Sequence, residues 1–166
     1  MMASARTRQG GVNGQLPVLR CRICQQVIGK TYISFDRRTQ RHSTDIWQGK
    51  PRPAIKILQA QEMFRYDSQD CRSLQEPQII AELQLKTAYP SGSGDVVPCS
   101  RCGAPVDRNL PHVSYCFLEG EMENWTMTKV VDDTELAVLC SACEEPDDPA
   151  TQAAVAATHK RERSRT

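Results

Sequence analysis

The chain has 166 residues, enough for one domain or two small ones, and only 5% of them are aromatic. A small core with so few aromatic residues usually needs support from metal or disulfides, and eight cysteines are available. The sequence has neither a secretory signal nor a membrane-spanning stretch, so we expect no membrane partner. We expect a reducing compartment, cytoplasmic or nuclear, where cysteines bind metal more often than they form disulfides.

The net charge is only +1, but the charges are unevenly distributed. Residues 1–56 carry eleven Lys and Arg against two acidic residues, whereas residues 119–148 carry ten acidic residues against one Lys. Such asymmetry predicts two surfaces that suit different partners. Two solvated faces without any partner would have the same composition, so charge alone leaves both interpretations open.

The first third of the chain begins with residues 1–16, which are polar and predict a disordered arm. A Cys-x-x-Cys pair, Cys21 and Cys24, follows. Residues 31–35 alternate polar and apolar side chains, which predicts a short half-buried strand. The polar, basic residues 36–42 predict a loop, and the Gly and Pro residues within 43–53 predict irregular chain.

The middle of the chain predicts one helix. It begins near Ser68, with Asp67 as its N-cap, and an apolar stripe continues to about residue 86. Before it, residues 54–66 fit a strand at their start and give no clear indication at their end.

A linker is indicated by Gly, Ser and Pro in residues 89–98, and it separates an N-terminal module, 17–88, from a C-terminal one, 99–146. Within the second module, three strand-like runs predict a small antiparallel sheet. These runs are 113–118, 125–131 and 136–139. Residues 147–166 predict a flexible tail. The expected fold is therefore a small, metal-stabilised α+β protein.

The strongest candidate site combines two Cys-x-x-Cys pairs, Cys99 with Cys102 and Cys140 with Cys143. Two residues between cysteines allow a tight turn to direct both sulfurs to one point, and two such turns complete a tetrahedron around Zn²⁺. Gly103 follows the first pair, where a positive φ is often needed. Four thiolates leave no open coordination position, so we expect this zinc to be structural.

A second zinc is expected in the N-terminal module, where Cys21 and Cys24 supply two ligands. Cys71 is the best third ligand, because the amides of a helix N-terminus stabilise a thiolate. The fourth ligand is open between His42, Asp67 and Cys116, with His42 preferred because histidine is the commoner zinc ligand. Alternatively, Cys71 is a buried thiol and this module has no metal.

These patterns resemble two families of zinc module. The paired knuckles of the C-terminal half resemble a zinc ribbon, which implies a three-stranded antiparallel sheet. Residues 18–85 resemble a treble-clef finger of the TRASH or MYM type, in which a Cys-x-x-Cys knuckle, a hairpin and a helix that begins with a cysteine follow one another. The chain departs from that pattern, because Asp67 stands where the first helix cysteine is expected and the preceding gap is long.

The sequence contains no phosphate-binding loop, nucleophile elbow or His-Glu-x-x-His motif, so we predict that the protein is not an enzyme. One functional hypothesis is a regulator that binds nucleic acid through its basic N-terminal half. The candidate contacts are Arg20, Arg22, Lys30, Arg37, Arg38, Arg41, Lys50, Arg52 and Lys56, with Tyr32, Phe35 and Trp47 as stacking surfaces. The alternative is a protein-interaction adaptor whose acidic segment, 119–148, docks on a larger complex.

Overall fold

The computed structural model describes residues 18–90, 94–124 and 126–144. Within these ranges the chain forms six strands and one helix. The strands are β1 (Thr31–Trp47), β2 (Lys50–Tyr66), β3 (Val96–Pro98), β4 (Pro105–Asp107), β5 (His112–Glu123) and β6 (Thr126–Leu139), and the helix is α1 (Gln69–Glu82). The predicted α+β class is confirmed. The N-terminal segment 1–16, predicted to be disordered, and the predicted flexible tail, 147–166, lie outside the described residues.

Four strands form one antiparallel sheet in the order β2-β1-β5-β6. β1 pairs with β5 from Thr31 opposite Glu121 to Gln40 opposite His112. Strands from either side of the predicted linker are therefore neighbours in a single sheet. Of the predicted run 125–131, residues 126–131 belong to the same strand, β6, as the predicted run 136–139. Nowhere in the described ranges is there a helix long and apolar enough to cross a membrane.

β1 is a strand of 17 residues, so the prediction of a loop at 36–42 and irregular chain at 43–53 was wrong. Asp36, Arg38 and Gln40 alternate along β1 and are at most 1% exposed. Arg38 and Gln40 are buried with partners in a strand that is distant in sequence, and Asp36 lies 3.8 Å from Arg38. Gln48 and Gly49 connect β1 to β2, and both have positive φ, as a two-residue type I′ hairpin turn requires.

The sheet face that carries Phe35 forms the apolar core together with α1. Phe35 stacks with Phe64 and Tyr115 at ring-centroid distances of 5.9 and 5.7 Å. Tyr66, at the end of β2, donates a hydrogen bond to Gln75 of α1. These contacts hold α1 against the end of the sheet where β1 begins and β2 ends.

The opposite face of the sheet carries a buried polar network. Its members are Asp36, Arg38, Gln40, Arg108, Ser114, Asp133 and Glu135. Glu135 accepts hydrogen bonds from the Gln40 amide at 3.1 Å and the Ser114 hydroxyl at 2.8 Å, and its other oxygen lies 3.1 Å from the Arg108 guanidinium. Because charged groups are costly to bury without partners, the network holds β1, β5 and β6 in register.

The N-cap of α1 is Ser68, so the prediction of Asp67 as N-cap was wrong by one residue. The Ser68 hydroxyl accepts a hydrogen bond from the amide of Cys71 at 3.2 Å. The carboxylate of Asp67 is consequently not required for capping. It lies between the end of β2 and the start of α1, where the N-terminal cysteines converge.

Candidate functional site

The four cysteines predicted for the C-terminal site come together, with every sulfur within 4.8 Å of the others. A tetrahedral zinc with Zn–S bonds near 2.3 Å separates its sulfurs by about 3.8 Å. The distance between the sulfurs of Cys102 and Cys140 is 3.5 Å. These residues therefore fit a metal ion, and we call them the C-terminal centre.

Backbone hydrogen bonds shape both knuckles of this centre. In the first, Gly103 has φ +80° and its amide donates to the carbonyl of Cys99 at 2.9 Å. In the second, the amide of Cys143 donates to the carbonyl of Cys140 at 3.0 Å. The amide of Ser100 donates to the Val138 carbonyl at 2.8 Å, which attaches the first knuckle to the strand that ends at the second.

The electrostatics of the C-terminal centre favour a cation. Burial alone raises the pKa of Cys99, but hydrogen bonds from the backbone amides of Cys102, Cys140 and Arg101 outweigh it and lower that pKa to about 6. Burial and the neighbouring sulfurs raise the pKa of Cys143 well above its ordinary value. Cys99 forms a thiolate readily, whereas raised pKa values make Cys140 and Cys143 resist a further negative charge, so a divalent ion is needed to deprotonate them.

The second group consists of Cys21, Cys24, Asp67 and Cys71, whose ligand atoms also lie within 4.8 Å of one another. We call it the N-terminal centre. The amide of Cys21 donates to the Gln26 carbonyl at 2.9 Å, and this turn directs Cys21 and Cys24 to the same side. The turn is attached to β2, because the amide of Arg22 donates to the Arg65 carbonyl at 2.9 Å.

Asp67 takes part in the N-terminal centre as an anion. The thiol of Cys24 donates to its carboxylate at 3.2 Å. Although burial raises the pKa of Asp67, hydrogen bonds from Cys21, Cys24 and Cys71 lower it below its ordinary value. The Gln26 backbone lowers the pKa of Cys24, but desolvation and Asp67 outweigh it and raise that pKa to about 12. Three thiols and a carboxylate are a donor set that zinc accepts.

His42, the preferred fourth ligand, is not brought to this centre. It lies in β1, nine residues beyond Ile33, which pairs with Tyr66 beside Asp67. At about 3.3 Å per residue the separation along the strand is roughly 30 Å. The ring of His42 instead lies 6.1 Å from that of His112. Cys116, the other alternative, is buried in β5 opposite Asp36.

The predicted basic contacts fall into three groups. Arg38 is 1% exposed and donates to Asp133 at 2.9 Å, so it is not available to a nucleic acid. Arg20 and Arg22 lie at the N-terminal knuckle, where Arg20 donates to the carbonyl of Gln25 and Arg22 lies 4.1 Å from the centre of the Phe64 ring. The remaining predicted residues lie directly before β1 or along β1 and β2. They are Lys30, Arg37, Arg41, Lys50, Arg52 and Lys56, and the Lys30 ammonium lies 3.9 Å from Glu121.

The stacking residues were predicted less well. Tyr32 and Phe35 are 2% and 1% exposed and belong to the core, so neither is able to stack on a base. Trp47, at the hairpin turn, is 52% exposed. Its ring centre lies 4.8 Å from the guanidinium of Arg52.

Residues 41–56 form a two-stranded projection, which we call the arm. β5 ends its pairing at Gln40, so beyond this point β1 pairs with β2 alone. Residues directly opposite in a ladder share a face, and successive residues alternate between faces. One face of the arm, the basic face, carries the opposed pairs Arg41–Lys56, Asp45–Arg52 and Trp47–Lys50.

The other face of the arm carries no Lys, Arg, Asp or Glu. Its opposed pairs are His42–Ile55, Thr44–Pro53 and Ile46–Pro51. Ile46 is 70% exposed and Ile55 is 51% exposed. The arm thus has one cationic and one uncharged face, a distinction that the sequence did not reveal because residues 36–53 were not predicted to be strand.

Much of the acidity of the C-terminal half is paired within the chain. Glu119 accepts from the Gln69 amide at 2.6 Å, and Glu121 lies 3.9 Å from the ammonium of Lys30. Asp133 and Glu135 belong to the buried polar network. These four carboxylates therefore face groups of the same chain.

Comparisons of the chain with protein-family models, with curated proteins and with solved structures gave no match.

Proposed function

We propose that this protein is a zinc-stabilised regulator that binds nucleic acid through the basic face of its arm. The observation that carries the proposal is the arm itself, a projecting two-stranded ribbon with four cationic side chains and a half-exposed Trp47 on one face. Only one carboxylate, Asp45, lies among them. Lysine and arginine side chains that neutralise phosphates supply most of the affinity of such surfaces.

The role we propose for zinc is structural. Each centre offers four protein ligands, which is the pattern of sites that fold a protein rather than activate water. The order of the N-terminal half supports a treble-clef-like unit, in which a knuckle, the β1–β2 hairpin and a helix that begins beside the last ligand follow one another. In the C-terminal half the knuckles precede and follow the β5–β6 hairpin, which supports a zinc-ribbon-like unit.

Salt dependence provides the first test of the proposal. Four phosphate contacts predict that the logarithm of the association constant falls with the logarithm of salt concentration with a slope of about −3.6 on duplex DNA and a shallower slope on single strands. Fluorescence anisotropy of labelled DNA and RNA oligonucleotides with the zinc-loaded protein measures this slope. The absence of binding to every oligonucleotide at low salt contradicts the proposal.

Variants of the arm locate the contact. We expect K50Q/R52Q/K56Q to reduce the magnitude of the slope to about 0.9, because one cation of the four remains. I46T/I55T is the matched control, since both isoleucines are exposed on the opposite face of the same strands and their replacement changes no charge. Equal slopes for the wild type and the triple variant place the contact elsewhere. Zinc content and circular dichroism establish that each variant is folded.

An adaptor function through the acidic β5–β6 hairpin is the second candidate, and the arrangement of its carboxylates supports it less. Glu119, Glu121, Asp133 and Glu135 already face partners of the same chain. A protein partner would compete with these contacts. Recovery of a specific protein by the wild type, and its loss with E123Q/D132N, would favour the adaptor.

A further inference from the structure

We infer that the nucleic acid that the arm binds is B-form duplex DNA, and that the arm enters its major groove. This inference rests on the proposed function and adds the class of nucleic acid and the way it is contacted. Three features of the arm support it. They are its dimensions, its single aromatic residue and the composition of its basic face.

The arm has the cross-section of a major-groove ligand. Two paired strands are about 4.8 Å apart, and with their side chains they form a ribbon roughly 10 Å wide. The major groove of B-DNA is about 12 Å wide and admits a two-stranded ribbon, whereas that of duplex RNA is deep and too narrow for side chains to read. From the Arg41–Lys56 pair to the Trp47–Lys50 pair there are six residue steps, or roughly 20 Å, which spans about six base pairs.

Single-stranded nucleic acid suits the arm less well. Proteins that hold single strands stack successive bases on several aromatic side chains along a cationic groove. Trp47 is the only aromatic residue in positions 41–56, and the other candidates, Tyr32 and Phe35, are buried in the core. One stacking surface at the tip does not form a platform for consecutive bases.

The composition of the basic face suits base edges as well as phosphates. Arg41 and Arg52 carry guanidinium groups, which form paired hydrogen bonds with guanine in the major groove. Asp45, directly opposite Arg52, is a carboxylate that accepts from the amino group of cytosine and has no role in contacts to phosphate. Lys50 and Lys56, at the two ends of this face, are placed to reach the flanking phosphates.

The β2 edge of the arm is poorly suited to a competing use, the addition of a strand from another protein. Pro51 and Pro53 lie in β2, which is an edge strand of the sheet. Proline has no amide to donate, so this edge offers a partner strand fewer hydrogen bonds. The basic face of the arm is thus a better contact surface than this edge.

The test compares one sequence in three forms, a DNA duplex of about 20 base pairs, its single strand and the matching RNA duplex, at equal salt. We expect the zinc-loaded protein to bind the DNA duplex at least about tenfold more tightly than the other two. Methyl green, a major-groove ligand, should displace the protein, and netropsin, a minor-groove ligand, should not. The triple variant K50Q/R52Q/K56Q should lose this preference for the DNA duplex, and the control I46T/I55T should keep it.

The outcomes separate the two proposals. Equal or tighter binding to single strands or duplex RNA, or displacement by netropsin instead of methyl green, overturns the inference and leaves nucleic-acid binding intact. No binding to any of the three forms overturns the proposed function together with the inference. Because every form is tested with the wild-type protein, these outcomes do not depend on whether a variant folds.

Discussion

Asp67→Asn tests whether the carboxylate completes the N-terminal centre. Asparagine has nearly the same size, but its amide is neutral and is not among the common zinc ligands. When a metal ligand loses a residue that hydrogen-bonds to it, metal affinity falls about 10- to 100-fold. Loss of the ligand itself should therefore lower the zinc affinity at least about 100-fold, or by about 2.7 kcal/mol. The Cys24 thiol also loses the anionic acceptor that lies 3.2 Å away.

Competition with a chromophoric chelator, followed by native mass spectrometry, measures this effect. We expect two zinc ions in the wild type, and one in D67N at chelator concentrations that the wild type withstands. D67C should retain both ions, because a fourth thiolate replaces the carboxylate. His42→Asn is the control, since His42 lies roughly 30 Å away along β1 and should not affect either ion. Equal zinc affinity in D67N and the wild type, or a lost ion in H42N, would refute the assignment of Asp67.

Two further predictions concern stability. Burial and the positive charge of Arg108 lower the pKa of His42 below its ordinary value of 6.5. The imidazole therefore binds a proton more tightly in the unfolded chain than in the folded one. The free energy of unfolding should consequently fall as the pH decreases below about 6.5. In urea titrations of the zinc-saturated protein, H42Q should lose less unfolding free energy than the wild type between pH 6.5 and about 5; an equal loss contradicts the prediction. Arg38→Met removes the guanidinium that lies 3.8 Å from the fully buried Asp36 and should lower the free energy of unfolding by about 3 kcal/mol in urea titrations. The same variant should leave the salt slope of DNA binding unchanged, and a shallower slope would show that Arg38 contacts phosphate.

The sequence was sufficient to predict the features that depend on local spacing. Each Cys-x-x-Cys pair determines a turn within four residues, so both turns were predictable, and the four ligands that zinc requires predicted that Cys99, Cys102, Cys140 and Cys143 converge. The start of α1 near Ser68 was also predictable, because it depends on adjacent side chains. Local chemistry of this kind does not depend on how the strands are arranged.

The features that were predicted wrongly depend on pairing between distant residues. Arg38 and Gln40 indicate a loop when they are considered alone, and they lie in a strand because Asp133 and Glu135, 95 residues later, satisfy them. The position of Asp67, rather than His42, beside the N-terminal cysteines has a similar cause. With Ser68 as the N-cap, Asp67 is directed to the cysteines, whereas β1 carries His42 away from them.

The two centres lie at opposite ends of the sheet, and the C-terminal centre is the one connected to the base of the arm. The amide of His42, at the base of the arm, donates to the carbonyl of Arg108 at 2.7 Å. Arg108 directly follows β4, and the β3–β4 turn carries the first knuckle of the C-terminal centre. Arg108 is also fixed to Glu135 at 3.1 Å.

An isolated two-stranded ribbon is marginally stable in water, so the direction of the arm depends on how firmly its base is held. The segment that holds this base is short of apolar contacts of its own, since β3 and β4 have three residues each and only Val97 and Val106 of them are buried. A metal ion at the C-terminal centre would join this segment to the end of β6 through Cys99, Cys102, Cys140 and Cys143. A metal ion at the N-terminal centre, at the far end of β2, would stabilise α1 and the turn that contains Cys21 and Cys24 instead. We therefore propose that a zinc ion at the C-terminal centre is the one on which the position of the basic face depends.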